Sequence, residues 1–188
     1  TTYNVTYNSW GAQDGPSEEG TGLGDGVSAN LTYDPWTHVA LSMTSSGSAQ
    51  TDEVGEGYQI TYAIQMDAKQ VYGADFDLNF DNAKLEVISI DDAGLFEHAT
   101  GCDISSVNEA NGDGFISFCG DRRTAGALSG SAQVVYTVVF EAKPGSGGST
   151  ADLDMLFADD TCSLKPGYGA SNNIYASALD DGSLTIYN

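Results

Sequence analysis

Five oxygen-bearing side chains, Asp75, Asp77, Asn79, Asp81 and Glu86, fall at positions 1, 3, 5, 7 and 12 of an EF-hand-type calcium loop. Hard oxygens at that spacing could chelate calcium. The sixth position of such a loop bends sharply and needs glycine, and here it is Phe80. Wrapping the loop around an ion would also push Phe76, Leu78 and Phe80 into water together. A strand explains the same residues without that cost. Ala74, Phe76, Leu78 and Phe80 alternate with Asp75, Asp77 and Asn79, giving one apolar face and one wet face. On a strand the three polar side chains line an outer surface, and their chemistry is recognition rather than chelation.

Other candidates for chemistry are sparse. His38 and His98 stand in no motif and read as loop or surface histidines. No nucleophile elbow, zinc-protease motif, P-loop or dinucleotide fingerprint occurs. With 27 Asp plus Glu, a glycosidase-like carboxylate pair can always be chosen, so the choice carries no information. The chain is expected not to be an enzyme. Turn-like acid clusters (Asp91/Asp92, Asp103 with Asn111 and Asp113, Asp152/Asp154, Asp159/Asp160, Asp180/Asp181) offer the oxygens calcium takes, so calcium is the expected cofactor, at an unknown site. Trp10 and Trp36 could stack on sugars, but beside Gly and Pro they read better as packing for the N-terminal segment.

Cys102, Cys119 and Cys162 allow one internal bridge and one leftover thiol. Cys102 and Cys119 flank a hairpin-like segment with its turn at Asn111 to Gly114, which favours their pairing. A bridge from Cys162 to either is the alternative.

Strands must position all of this. Val39, Leu41 and Met43 share a face. Tyr58, Ile60, Tyr62, Ile64 and Met66 alternate with Gln59, Thr61, Ala63 and Gln65. After the Asp81–Lys84 turn, Leu85 to Ile90 is apolar on both parities, as is Val134 to Phe140, so both are expected to be covered on two faces. Phe115, Ile116 and Phe118, then Leu153, Met155 and Phe157, then Leu184 and Ile186 supply further strands. Val27 to Tyr33 reads as a short strand, and no helix longer than a turn or two is expected. Many short strands with Gly/Asp turns predict an all-β, antiparallel sandwich. Residues 1–38 form an N-terminal extension and 39–188 the sandwich. Within the extension, residues 11–30 have a linker's composition and would need the domain's surface or a neighbour to hold them.

The charge, −21 with six Lys plus Arg, excludes nucleic acid and anionic membrane surfaces as partners. No run of about 18 apolar residues is present, so no membrane insertion is expected. The Thr-Thr start, and the sequons Asn4-Val5-Thr6 and Asn30-Leu31-Thr32, suit an exported, extracellular or cell-surface protein.

The segment GADFDLNFDNAKLEVISI resembles the strand–turn–strand signature of cohesin modules, xxFxxxYDP followed by xxLEVxxV. The order VALSM, YQITYAIQM, GDGFISF, AQVVYTVVFEAK, DLDMLF and DGSLTI around it is also similar, over roughly Val39 to Tyr187. The resemblance implies a jelly-roll sandwich of about nine strands, without catalysis, that binds a dockerin-like protein through one sheet face. It implies a partner-facing role for Asp75, and alternation adds Asp77 and Asn79. The position two residues earlier, often polar in the family, is Gly73. A second reading is a filament or surface-layer subunit in which Thr2, Tyr3, Val5 and Tyr7 add as a strand to a neighbour's sheet. A third is a carbohydrate-binding module.

Overall fold

The computed structural model describes residues 38–45, 52–99, 101–122, 125–156 and 182–188, with the backbone pairings of four short segments between residues 3 and 32. Those segments are β1 (Tyr3–Asn4), β2 (Pro16–Glu18), β3 (Gly24–Val27) and β4 (Leu31–Thr32). β1 pairs in parallel with β4, and β2 with β3. The strand expected over Val27 to Tyr33 is thus two strands, β3 ending at Val27 and β4 starting at Leu31, each with its own partner.

The sandwich follows: β5 (His38–Ser45), β6 (Glu53–Gly55), β7 (Gln59–Val71), β8 (Gly73–Phe80), β9 (Leu85–Asp92), α1 (Val107–Asp113), β10 (Phe115–Asp121), β11 (Leu128–Ala142), β12 (Ser149–Leu156) and β13 (Gly182–Tyr187). One sheet runs β10-β8-β12-β13-β6, the other β5-β7-β11-β9. Nine strands in two packed sheets make the expected jelly-roll sandwich. β13 and β6 pair in parallel, unlike the rest of the sandwich. Strand direction there is set by which sheet edge the chain reaches, and local sequence does not encode it.

Alternation fills the core. Phe76, Leu78, Ile116, Phe118, Leu153, Met155, Leu184 and Ile186 from one sheet meet Leu41, Tyr62, Ile64, Met66, Tyr136, Val138 and Phe140 from the other, all essentially inaccessible. Phe76 and Phe118 lie 5.2 Å apart, and Tyr136 stacks on both. Such contacts contribute roughly 0.5–1.5 kcal/mol beyond area burial.

Two strands expected to be covered on both faces are not. In β9 the register skips Ile88: Phe140 faces Val87 and Val139 faces Ser89. This bulge shifts the inward parity, so Leu85, Val87 and Ile90 serve the core while Ile88 is 40% exposed. β11 has a similar irregularity at Val135, which buries Val135 and Tyr136 in succession and leaves Val134 and Val139 half-buried outside. Both apolar runs therefore mark bulges. Tyr58, expected in the alternating set, lies in the turn before β7 and is 72% exposed. Phe157 lies outside the described residues.

Candidate functional site

β8 carries the candidate residues between two neighbours. Asn79 faces Phe115 of β10 and Asp154 of β12; Asp77 faces Ser117 and Leu156; Asp75 faces Cys119. Because Ala74, Phe76, Leu78 and Phe80 point inward, Asp75, Asp77 and Asn79 share the outer face of the five-stranded sheet, where each is half-buried. β12 extends that face with exposed Asp152, Asp154 and Leu156, and β13 adds Ser183, Thr185 and Tyr187. The result is a band of four aspartates on two adjacent strands beside Leu156, which is 46% exposed. None of these face residues is cationic. Lys84, Lys143 and Arg122 are tied to backbone: Lys84 Nζ donates to Thr150 O at 2.7 Å, Lys143 Nζ to Asn82 O at 2.7 Å, and Arg122 Nε to Gly126 O at 2.8 Å.

Asp77 also reaches the core electrostatically. Burial, and then the Asp77 carboxylate, keep the Tyr136 hydroxyl protonated well above the ordinary phenol range. Burial, and then Asp52, do the same for Tyr62. Gly73 faces Asp121, and a Cβ there would stand 3.3 Å from the Gly120 carbonyl oxygen. A side chain at this position would crowd that backbone carbonyl.

Cys102 and Cys119 form a disulfide, with Cα atoms 4.8 Å apart. The hairpin-like segment between them is closed by a helix instead of a tight turn. Residues 103–105 run back along β10: Cys119 N donates to Asp103 O at 3.0 Å, Ser105 N to Ser117 O at 2.9 Å, and Ile104 bridges Phe118. The chain then enters α1 through a capping box between Ser106 and Glu109. Asn111 to Gly114 closes that helix, with Gly114 at φ 80° as its left-handed cap.

Two residues of the acid clusters bind backbone in this fold. Among the described residues, no three His, Cys, Asp or Glu side chains converge as a metal site. Asn111 instead binds backbone: its Oδ1 accepts from Val87 N at 2.8 Å and its Nδ2 donates to Val87 O at 2.9 Å. Its amide acts as a strand surrogate that covers the β9 edge. Asp103 Oδ1 accepts from Ile104 N at 2.8 Å. Asp159/Asp160, Asp180/Asp181, Cys162, Trp10 and Trp36 lie outside the described residues, as do Thr2, Val5 and Tyr7. Tyr3 pairs within the chain, with Leu31.

Sequence reasoning read His98 as a loop or surface histidine, and the structure packs it more closely than that. Its ring is 18% exposed and stands edge-on to Phe118, with ring centroids 5.5 Å apart. Nothing in the local sequence signals this, because its partners Cys119 and Asp92 come from other strands.

A family model described as Cohesin domain matches residues 43–186. No curated protein matches the chain. Among solved structures, it is similar to one of a type I cohesin–dockerin complex from Clostridium thermocellum, at 15% identity and TM-score 0.57, covering 79% of this chain and 99% of that one. The seventh ScaB type I cohesin from Pseudobacteroides cellulosolvens gives 18% identity and TM-score 0.57, with 80% and 92% covered. The cohesin module of a family 33 glycoside hydrolase from Clostridium perfringens gives 13% and 0.53, with 80% and 98% covered. At these identities the likeness is one of fold.

Proposed function

The chain belongs to the cohesin domain family, and on that premise we propose that it is a non-catalytic receptor module that binds a dockerin-like protein on the outer face of its five-stranded sheet. The observation that carries the reading is the register of that face. Asp75, Asp77 and Asn79 on β8 lie beside Asp154 and Leu156 on β12, so carboxylates surround an exposed apolar side chain on one rigid surface. A partner with basic residues around an apolar anchor would complement it, the charges steering encounter and the apolar contact holding the complex.

Secretion to an extracellular or cell-surface site belongs to the same reading. The Cys102–Cys119 disulfide supports it, since such bonds persist in oxidising compartments. Calcium is retained as a proposal on the acid clusters as a whole, at an unassigned site. If it binds there, a chelator lowers the melting temperature; an unchanged melting curve removes it.

Titration calorimetry with a dockerin panel tests the main reading. We expect one dockerin to bind the parent, and Asp75→Ala with Asn79→Ala to weaken that complex by roughly 1–3 kcal/mol. Undiminished binding by the double variant would overturn the assignment of this face.

A further inference from the structure

His98 sits where three segments meet. Its Nδ1 lies 2.6 Å from the backbone carbonyl oxygen of Cys119 in β10, and its Nε2 lies 3.2 Å from Asp92 Oδ2 at the end of β9. Gly120 leaves the space: a Cβ there would stand 3.4 Å from His98 Cε1 and 2.6 Å from Phe96 Cβ.

Both partners are acceptors. A carbonyl oxygen has no proton to give, and an ionised carboxylate only accepts. Asp92 also accepts through its other oxygen, Oδ1 taking the Gly94 N–H at 3.0 Å. A neutral imidazole has one N–H. In either tautomer it satisfies one contact and turns a lone pair toward an oxygen at the other. An imidazolium satisfies both. The charged groups around the ring are mostly acidic. Asp103 Oδ1 is 3.7 Å from Nδ1, and Glu97 and Asp121 are joined by a backbone bridge alongside. Arg122, the nearby cation, is engaged with the carbonyls of Leu95 and Gly126.

We propose that His98 is a proton-operated clamp. With a proton on each ring nitrogen it ties the end of β9 to β10; on losing one it releases one of the two ties. The segment it holds continues into Asp103–Ser105, which runs along β10. That strand borders the acidic face, where Cys119 stands opposite Asp75. Proton uptake therefore tightens the rim of that face. The clamp follows from the hydrogen-bond pattern alone and does not depend on which partner the face receives.

Nitrogen-detected NMR of the labelled protein reads the ring directly, with a His38→Gln variant separating the two histidines. When both ring nitrogens of His98 carry hydrogen, each N–H should show a coupling across its hydrogen bond, Nδ1 to the Cys119 carbonyl and Nε2 to the Asp92 carboxylate; a doubly protonated ring with either N–H uncoupled overturns the proposal, and this needs no His98 variant to fold. Denaturant unfolding supplies the second measurement. The extra tie exists only in the protonated folded state, so its stabilisation is present at low pH and lost as pH rises. The folded-to-unfolded ratio of the parent relative to His98→Gln should be about threefold to tenfold larger at pH 5 than at pH 8. Asp92→Asn should remove most of that difference, and Asp103→Asn, whose carboxylate is farther from the ring and largely exposed, a smaller part of it. An equal ratio at both pH values overturns the clamp.

Discussion

Cys119 stands directly opposite Asp75 across the β8–β10 ladder, so the Cys102–Cys119 disulfide lies on the same outer face as the acidic strand. The bond closes a loop with a sequence separation of 17 and secures the segment that covers the β10 edge. Replacing both cysteines with serine is expected to cost about 3 kcal/mol, chiefly through the unfolded chain. Urea unfolding of the oxidised parent and the double variant checks the figure. Protease cleavage should appear first between Gly101 and Ser106; cleavage elsewhere would contradict the proposed role of the bond.

The two faces of β8 should answer differently to truncation. Phe76→Ala empties a fully buried site among Phe118 and Tyr136, with an expected loss of about 3–5 kcal/mol. Asp154→Ala removes an exposed group on the outer face, with an expected change within about 0.5 kcal/mol. Thermal unfolding separates the two, and a large loss at Asp154 would show that the outer face is structural.

Gly120 is required by what lies against it. A Cβ there would be 2.6 Å from the Cβ of Phe96, an atom close to its own backbone and unable to swing away. Gly120→Ala is expected to destabilise by about 1–3 kcal/mol. Measured by denaturant melts, the loss should shrink when Phe96 is also made glycine.

Ala132 holds φ 51° in the irregular start of β11, with its N–H donating to Asp67 Oδ1 at 2.6 Å. A left-handed alanine is strained where glycine is not. Ala132→Gly is therefore expected to stabilise, by about 0.5–1 kcal/mol after the entropic cost of glycine in the unfolded chain. A lower melting temperature would refute the strain.

Two carboxylates give the acid limb of stability a definite sign. The side-chain hydrogen bond from Lys84, 2.7 Å away, holds Asp81 below its ordinary range, and Ser106 does the same for Glu109. Groups depressed in the folded state stabilise above their unfolded range, and that contribution is lost as pH falls through the folded one. Asp81→Asn with Glu109→Gln should flatten the decline of melting temperature below about pH 4.5, the unperturbed carboxylate range. An unchanged slope would mean that neither group matters.

The sequence by itself determined the sandwich and the wet face of its central strand. A period of two admits one assignment of Phe76, Leu78 and Phe80 inward and Asp75, Asp77 and Asn79 outward, and β7, β12 and β13 obey the same rule. It also carried the family signature, because the turn at Asp81 to Lys84 and the following LEV are contiguous in the chain. The bulges at Ile88 and Val135 escaped it, since an apolar run looks alike whether buried on two faces or shifted by one residue. Tertiary structure alone decided what shares the face with β8, that Asn111 covers the β9 edge, and that His98 meets Asp92 and Cys119. Those relationships join residues 6 to 79 positions apart. Strand register fixes such distances, and no local pattern of residues records them.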